Sequence, residues 1–232
     1  MKMREVTYAC VAMIGMGLIG AQSAFADATV VYKNTSSEGS GMQTIRYVDK
    51  KHVRIDMAND AARHERTIMK LGDKVYMIIG EVVQDLNQMA QMMAMMGKKP
   101  KERAAKDKGV SIKYVDTGRT ETIAGITGKV YRFTERGKKH EVVLSKDKDL
   151  QAAVLGVVEV AKAMSVTMPT DSKNMMGQSG LIKSMALLRL DHVMKLQSLK
   201  RDRIPKSVFK LPSEPQQMGG GFESLMKGMM GR

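Results

Sequence analysis

The chain has 232 residues and a formal net charge of +14, from 38 Lys and Arg against 24 Asp and Glu. One cysteine excludes a disulfide framework, and the absence of Trp with only four Phe leaves too few aromatics for the base-stacking platforms of basic nucleic-acid binders. Such a basic surface instead meets anionic lipid headgroups, acidic polymer or an acidic partner, or simply keeps the protein soluble.

The first element in chain order is an export signal. Lys2 and Arg4 form a short positive start, Tyr8 to Ala21 is uncharged and mostly apolar, and Ala24-Phe25-Ala26 offers small residues at a cleavage site. Cleavage after Ala26 is expected, so that residues 1–26 are removed and a periplasmic protein begins at Asp27. The apolar stretch, about 14 residues, is shorter than the roughly 18 to 20 a membrane span requires. Cys10 falls inside it, so the mature chain is expected to carry neither thiol nor lipid anchor. It keeps 36 basic and 23 acidic residues, a net charge of +13. One domain is expected over residues 27–213, followed by a flexible Gly- and Met-rich tail over 214–232.

From Asp27 the pattern is one of short strands and turns: Ala28 to Lys33, then Gly41 to Val48 after a polar turn. Lys51 to Met57 alternates most clearly, with Val53, Ile55 and Met57 on a buried face and His52, Arg54 and Asp56 on a wet one. Glu65 to Lys70 and Asp73 to Ile79 form a hairpin around Gly72, and Glu81 to Gln84 extends the meander. Asp85 to Met96 reads as an amphipathic helix ending at Gly97, with Leu86, Met89, Met93 and Met96 as its apolar stripe. Lys98 to Lys108, with six basic and two acidic residues around Pro100, reads as an exposed loop that would attract an anionic membrane surface or an acidic partner.

Four more strands are expected at Val110 to Asp116, Arg119 to Ala124, Thr127 to Thr134 and Lys138 to Leu144, with turns at Gly118, Gly125 and Gly137. Leu150, Val154, Val157, Val158, Ala161 and Met164 mark one face of a second helix, with Asp149 near its positive end. A polar loop over 165–180 precedes Leu181 to Leu190, an apolar run taken as helix. His192 to Asp202 is read as a last long strand, and Ile204 to Pro212 closes the fold with Phe209 as an apolar plug.

The order of these motifs is similar to that of a known family. Gly41-Met-Gln-Thr-Ile-Arg-Tyr-Val48 precedes His52-Val-Arg-Ile-Asp-Met57 and Gly72-Asp-Lys-Val-Tyr-Met77. Then come Ala124-Gly-Ile-Thr-Gly-Lys-Val-Tyr-Arg132, Glu141-Val-Val-Leu-Ser-Lys-Asp147 and Ile204-Pro-Lys-Ser-Val-Phe-Lys-Leu-Pro212. Over nearly the whole mature chain this resembles the exported bacterial domain of unassigned function that is itself similar to the lipoprotein carriers LolA and LolB. The resemblance implies an α+β fold, mainly antiparallel β: a curved, incomplete LolA/LolB-like β-barrel with covering helices and an apolar cavity between sheet and lid. It implies a non-enzymatic binding or carrier protein for a lipid, an acyl chain or a lipidated partner. Cavity and lid candidates are Val53, Ile55, Met57, Tyr76, Ile78, Met89, Met93 and Met96.

Methionine suits a lid because it is unbranched and polarizable and repacks around guests of different shape, and equally because it fills an ordinary core. A second reading is soft-metal binding. Met89, Met92, Met93, Met95 and Met96 place five thioethers within eight residues, a donor set that selects Cu(I) or Ag(I). A third is a structural envelope protein. No catalytic signature is present: no His-Glu-x-x-His, Gly-x-Ser-x-Gly, phosphate loop or mature cysteine. His52, His64, His140 and His192 are scattered, and no cofactor is expected unless the Cu(I) reading holds. His52, Arg54 and Asp56 share a strand face that would make either a polar rim site or an ordinary wet surface.

Overall fold

A computed structural model describes residues 27–36, 39–59, 65–95, 113–135, 137–164 and 184–216. The expected export signal, Met96, His64, the loop Lys98 to Lys108 and the tail from residue 217 lie outside the described residues. Six strands come first: β1 (Ala28–Ser36), β2 (Gly39–Asp49), β3 (His52–Asn59), β4 (Arg66–Leu71), β5 (Lys74–Ile79) and β6 (Val82–Asp85). Helix α1 (Leu86–Met95) leads towards β7 (Val115–Ile123), β8 (Ile126–Glu135) and β9 (Lys138–Ser145). Helix α2 (Lys148–Met164), β10 (Ala186–Leu190), β11 (Met194–Lys200) and a 3-10 turn at Lys206–Phe209 complete the described chain.

All strands join one curved, unclosed sheet in the order β6-β5-β4-β3-β2-β1-β11-β10-β9-β8-β7, and every neighbouring pair is antiparallel. The chain therefore walks from the centre to one edge, crosses to the other edge after α1, and walks back until β11 pairs with β1. The expected α+β fold of mainly antiparallel strands with covering helices is found.

The first half follows from alternation. Ala28, Val30 and Tyr32 of β1, Ile45 and Tyr47 of β2, and Val53 and Ile55 of β3 are buried on one face against α2. The two-residue turn Gly72-Asp73 joins β4 to β5, with Gly72 at φ +62°, and sets Ile68 opposite Met77. Asp85 begins α1: its carboxylate accepts from the backbone N–H groups of Asn87 at 2.9 Å and Gln88 at 3.2 Å, satisfying donors a helix start leaves open. Asp147 does the same for α2, accepting from the Leu150 N–H at 3.0 Å.

Five readings of the sequence are corrected. Ala186 to Leu190 is strand, not helix: Ala186 and Leu188 are buried on the helix-covered face while Leu187 and Leu190 pack on the other. Burial on both faces makes the run apolar except at Arg189, and a register shift between Leu187 and Arg189 breaks the period of two. The two strands expected either side of Gly118 are one strand, β7. Register jumps there from Asp116 opposite Tyr131 to Thr120 opposite Lys129, and Gly118, at φ +72° with its N–H on the Asp116 carboxylate, carries a bulge rather than a turn.

β11 starts later than expected because residues 191–193 form the β10–β11 turn, with Asp191 at φ +44°, and it ends at Lys200 rather than Asp202. On α2 the buried line runs through Leu150, Ala153, Val157 and Val160, while Ala161 is exposed and Val158 half-buried. The rotation follows from Gly156, whose missing side chain lets the helix lie directly on Tyr47 and Val53.

The face of β3 read as wet is also partly covered. The segment after β11 crosses it, and Ile204 and Phe209 join Met69, Tyr76, Ile78 and Val83 in a second apolar cluster. A third cluster, of Tyr131, Phe133, Val142, Leu144 and Met185, occupies the same side of the sheet's other half.

Candidate functional site

The helix-covered face has a closed part and an open fringe. Under α2, Val53 is 0 % exposed, and a Cβ placed on Gly156 would lie 3.2 Å from it and 2.6 Å from the Tyr47 ring. That contact leaves no space for a guest. Burial raises the Tyr47 hydroxyl above its usual pKa, and the Asp49 charge adds to the shift. Burial likewise raises Tyr32, whose hydroxyl donates to the Leu187 carbonyl at 2.7 Å.

Towards β4, β5 and α1, full burial gives way to a fringe of partly buried Met57, Ile68, Met77 and Met89 packed on the same cluster. Ile55, Ile68 and Met77 sit side by side across three strands. α1 touches this fringe from a foot fixed by its first residues. Leu86 is buried, and the Asn87 side chain accepts from the Val75 N–H at 2.9 Å and donates to the Asp73 carbonyl at 3.4 Å.

The sequence-derived cavity residues do not share one space. Val53, Ile55, Met57 and Met89 lie on the helix-covered face, whereas Tyr76 and Ile78 point the opposite way, into the cluster sealed by Ile204 and Phe209. Alternation along β5 explains the split, since Val75 and Met77 take the helix-covered positions. Met92, Met93 and Met95 belong to α1, but their side chains, and Met96 entirely, lie outside the described residues.

On the opposite face a cleft of about 370 Å³ is lined by Met42, Thr44, Arg46, Arg54, Asp56, Ala58, Glu65 and Val208. Strands β2 and β3 supply its floor, and their register sets Thr44 against Asp56 and Arg46 against Arg54. Asp56 is the hub. It pairs with Arg46, accepts from Arg54 Nε at 2.9 Å, and accepts from the Thr67 hydroxyl at 2.6 Å. Arg54 also donates to the Val208 carbonyl at 2.8 Å, tying the C-terminal segment to the sheet. His52, the third residue of that face, pairs with Asp49 and meets the Phe209 ring edge-on. Burial opposes ionisation of Asp49, but the hydrogen bonds from the His52 ring and from the Lys51 and His52 backbones outweigh it and hold the carboxyl below its usual value.

A charge network that sequence reasoning missed spans β7, β9 and β10. Arg189 donates to Glu121 at 2.7 Å and to Glu141 at 2.8 Å, and Arg119 also pairs with Glu141. The hydrogen bond from Arg189 holds the Glu141 carboxyl below its usual range. The visible signal was Arg189 itself, the one charge late in an apolar run. Beside it, Asp191 accepts from the Glu141 N–H at 2.7 Å and bonds the His140 ring, which stacks on Phe133. His52 and His140 thus belong to separate clusters, and His192 is exposed. Among the described residues no helix is long and apolar enough to cross a membrane.

No curated protein matches the chain. Among solved structures it is similar to PNGF-II, in one crystal form at TM-score 0.34 and 10% identity, covering 87% of this chain and 32% of that one. The chain thus spans about a third of that protein. It is also similar to the LolA superfamily protein NE2245 from Nitrosomonas europaea, at TM-score 0.30 and 11% identity, covering 80% of this chain and 90% of that one. Neither likeness is strong enough to bear on function. The family model described as a domain of unknown function (DUF4412) matches residues 29–214, from β1 to beyond the Phe209 plug, and the chain belongs to that family.

Proposed function

We propose that this is an exported, non-enzymatic binding or carrier protein that holds an apolar ligand, a lipid, an acyl chain or a lipidated partner, between the sheet and α1. The observation that carries the reading is the fringe of Met57, Ile68, Met77 and Met89, which continues the buried cluster beside a short helix fixed at its first turn. α2, seated on Tyr47 through Gly156, is the fixed cover; α1 is the element that can yield. Sheltering methylenes there is worth about 0.8 kcal/mol per CH₂, enough for a short acyl tail to bind. Three partly buried methionines give the fringe an adaptable wall. Export rests on the signal read in residues 1–26, with cleavage after Ala26.

Native mass spectrometry of the protein purified from the envelope tests the reading. Co-purified lipid in the wild type and its loss in Ile68→Asp, with the fold retained by circular dichroism, is expected. A ligand-free wild type that takes up no added fatty acid contradicts it.

A second reading is soft-metal binding, favoured by the five methionines that fall within eight residues at and just after α1. The donors of this reading are Met89, Met92, Met93, Met95 and Met96, whose thioethers would hold Cu(I). Cu(I) titration decides it: affinity unchanged when Met92, Met93 and Met95 become Leu contradicts this reading.

A further inference from the structure

We infer that the cleft between β2, β3 and the C-terminal segment is a second binding site, selective for a small organic monocarboxylate with an apolar substituent. It lies on the sheet face opposite the proposed carrier site. Its volume, about 370 Å³, falls in the range of roughly 300 to 1,000 Å³ typical of small-molecule sites.

Hydrogen-bond capacity favours an acceptor as the ligand. Both oxygens of Asp56 are taken, by Arg46, by Arg54 Nε and by the Thr67 hydroxyl. A guanidinium carries five N–H groups. Among the described residues Arg46 donates through a single amino group, and Arg54 through Nε and one amino group. Among the described residues, what enters the cleft thus meets further N–H groups of two planar forks and a carboxylate whose two oxygens are already bonded. Planar forks match a carboxylate in bidentate geometry. Two guanidiniums beside Asp56 leave one positive charge at the floor. Glu65, the other acid of the lining, is exposed at the rim, where solvent screens it.

The remaining walls set the second half of the specificity. Met42 is 40 % exposed, and with Ala58 and Val208 it offers an apolar side to the same cleft. A carboxylate on the forks would lay its substituent along these three residues. The arginines are pre-positioned by Asp56 and by the Val208 carbonyl, so little side-chain ordering remains to be done on binding.

Isothermal titration calorimetry with octanoate, octanol and octylamine, run on the Met77→Asp variant so that the proposed carrier site does not take up the same ligands, tests the inference. Octanoate should bind at least about tenfold more tightly than the neutral and cationic analogues, a difference of about 1.4 kcal/mol. Arg46→Gln should weaken it about tenfold or more. Ala58→Phe, at an exposed position that leaves the Asp56 hub intact, should block it even where Arg46→Gln fails to fold. Met77→Asp, on the helix-covered face, should leave octanoate binding in place, which separates this site from the carrier site. Failure of octanoate to bind, equal binding of octanol, or octanoate affinity unchanged by Ala58→Phe would overturn the assignment.

Discussion

Gly156 of α2 lies against Tyr47 of β2 so closely that a Cβ on the glycine would stand 2.6 Å from one ring carbon and 3.0 Å from another. A side chain there must displace the helix from the sheet. Gly156→Val is expected to destabilise the protein by roughly 1–3 kcal/mol through overpacking, more than any gain in helix propensity returns. Leu155→Ala, one residue away and exposed, should change stability by less than about 0.5 kcal/mol. Chemical denaturation of the two variants checks the contrast.

The C-terminal segment is a structural cover. Phe209→Ala empties a buried position among Met69, Ile78 and Ile204 and is expected to cost about 3–5 kcal/mol. Ending the chain at Arg203 should expose the whole cluster and produce aggregation, read by light scattering.

Much of this was legible in the sequence. The β1 to β6 meander, the hairpin at Gly72, the helix from Asp85 and the Phe209 plug follow from period and glycine placement, which are local. What was not legible depended on which faces are covered. Residues Ala186 to Leu190 lose their alternation because both faces take apolar residues and the register shifts between Leu187 and Arg189, and Tyr76 and Ile78 are as apolar as Val75 and Met77 although they point the opposite way. Arg54 and Asp56 were visible as a shared strand face. Arg46, on the neighbouring strand, and Val208, far along the chain, could join them only through register and chain crossing.

Acid should loosen the β7–β10 half first. Arg189 holds the Glu141 carboxyl below its ordinary value of 4.5. Burial raises Asp191, but bonds from the Glu141 N–H and His140 outweigh it and hold that carboxyl below 3.8. Both folded values are depressed, so the folded state binds fewer protons than the unfolded chain in this window. Their stabilisation is complete above the ordinary values and is lost as pH falls through the lowered ones. The stability difference between wild type and Arg189→Gln should therefore be largest near neutrality and shrink below pH 4.5; a difference independent of pH would contradict this.

The foot of α1 makes a prediction of its own. Asp85→Ala removes the acceptor for the Asn87 and Gln88 N–H groups and should cost about 1–2 kcal/mol. Hydrogen exchange should quicken in the first turn of α1 while β1 and β2 keep their protection.

The claim that an apolar guest sits between the sheet and α1 is tested most directly by titrating the protein with a fluorescent naphthylamine probe. Enhanced emission that a fatty acid competes away, abolished by Met77→Asp and retained by Ala58→Phe on the opposite face, is the predicted result. A folded Met77→Asp variant that binds the probe as tightly as the wild type would contradict it.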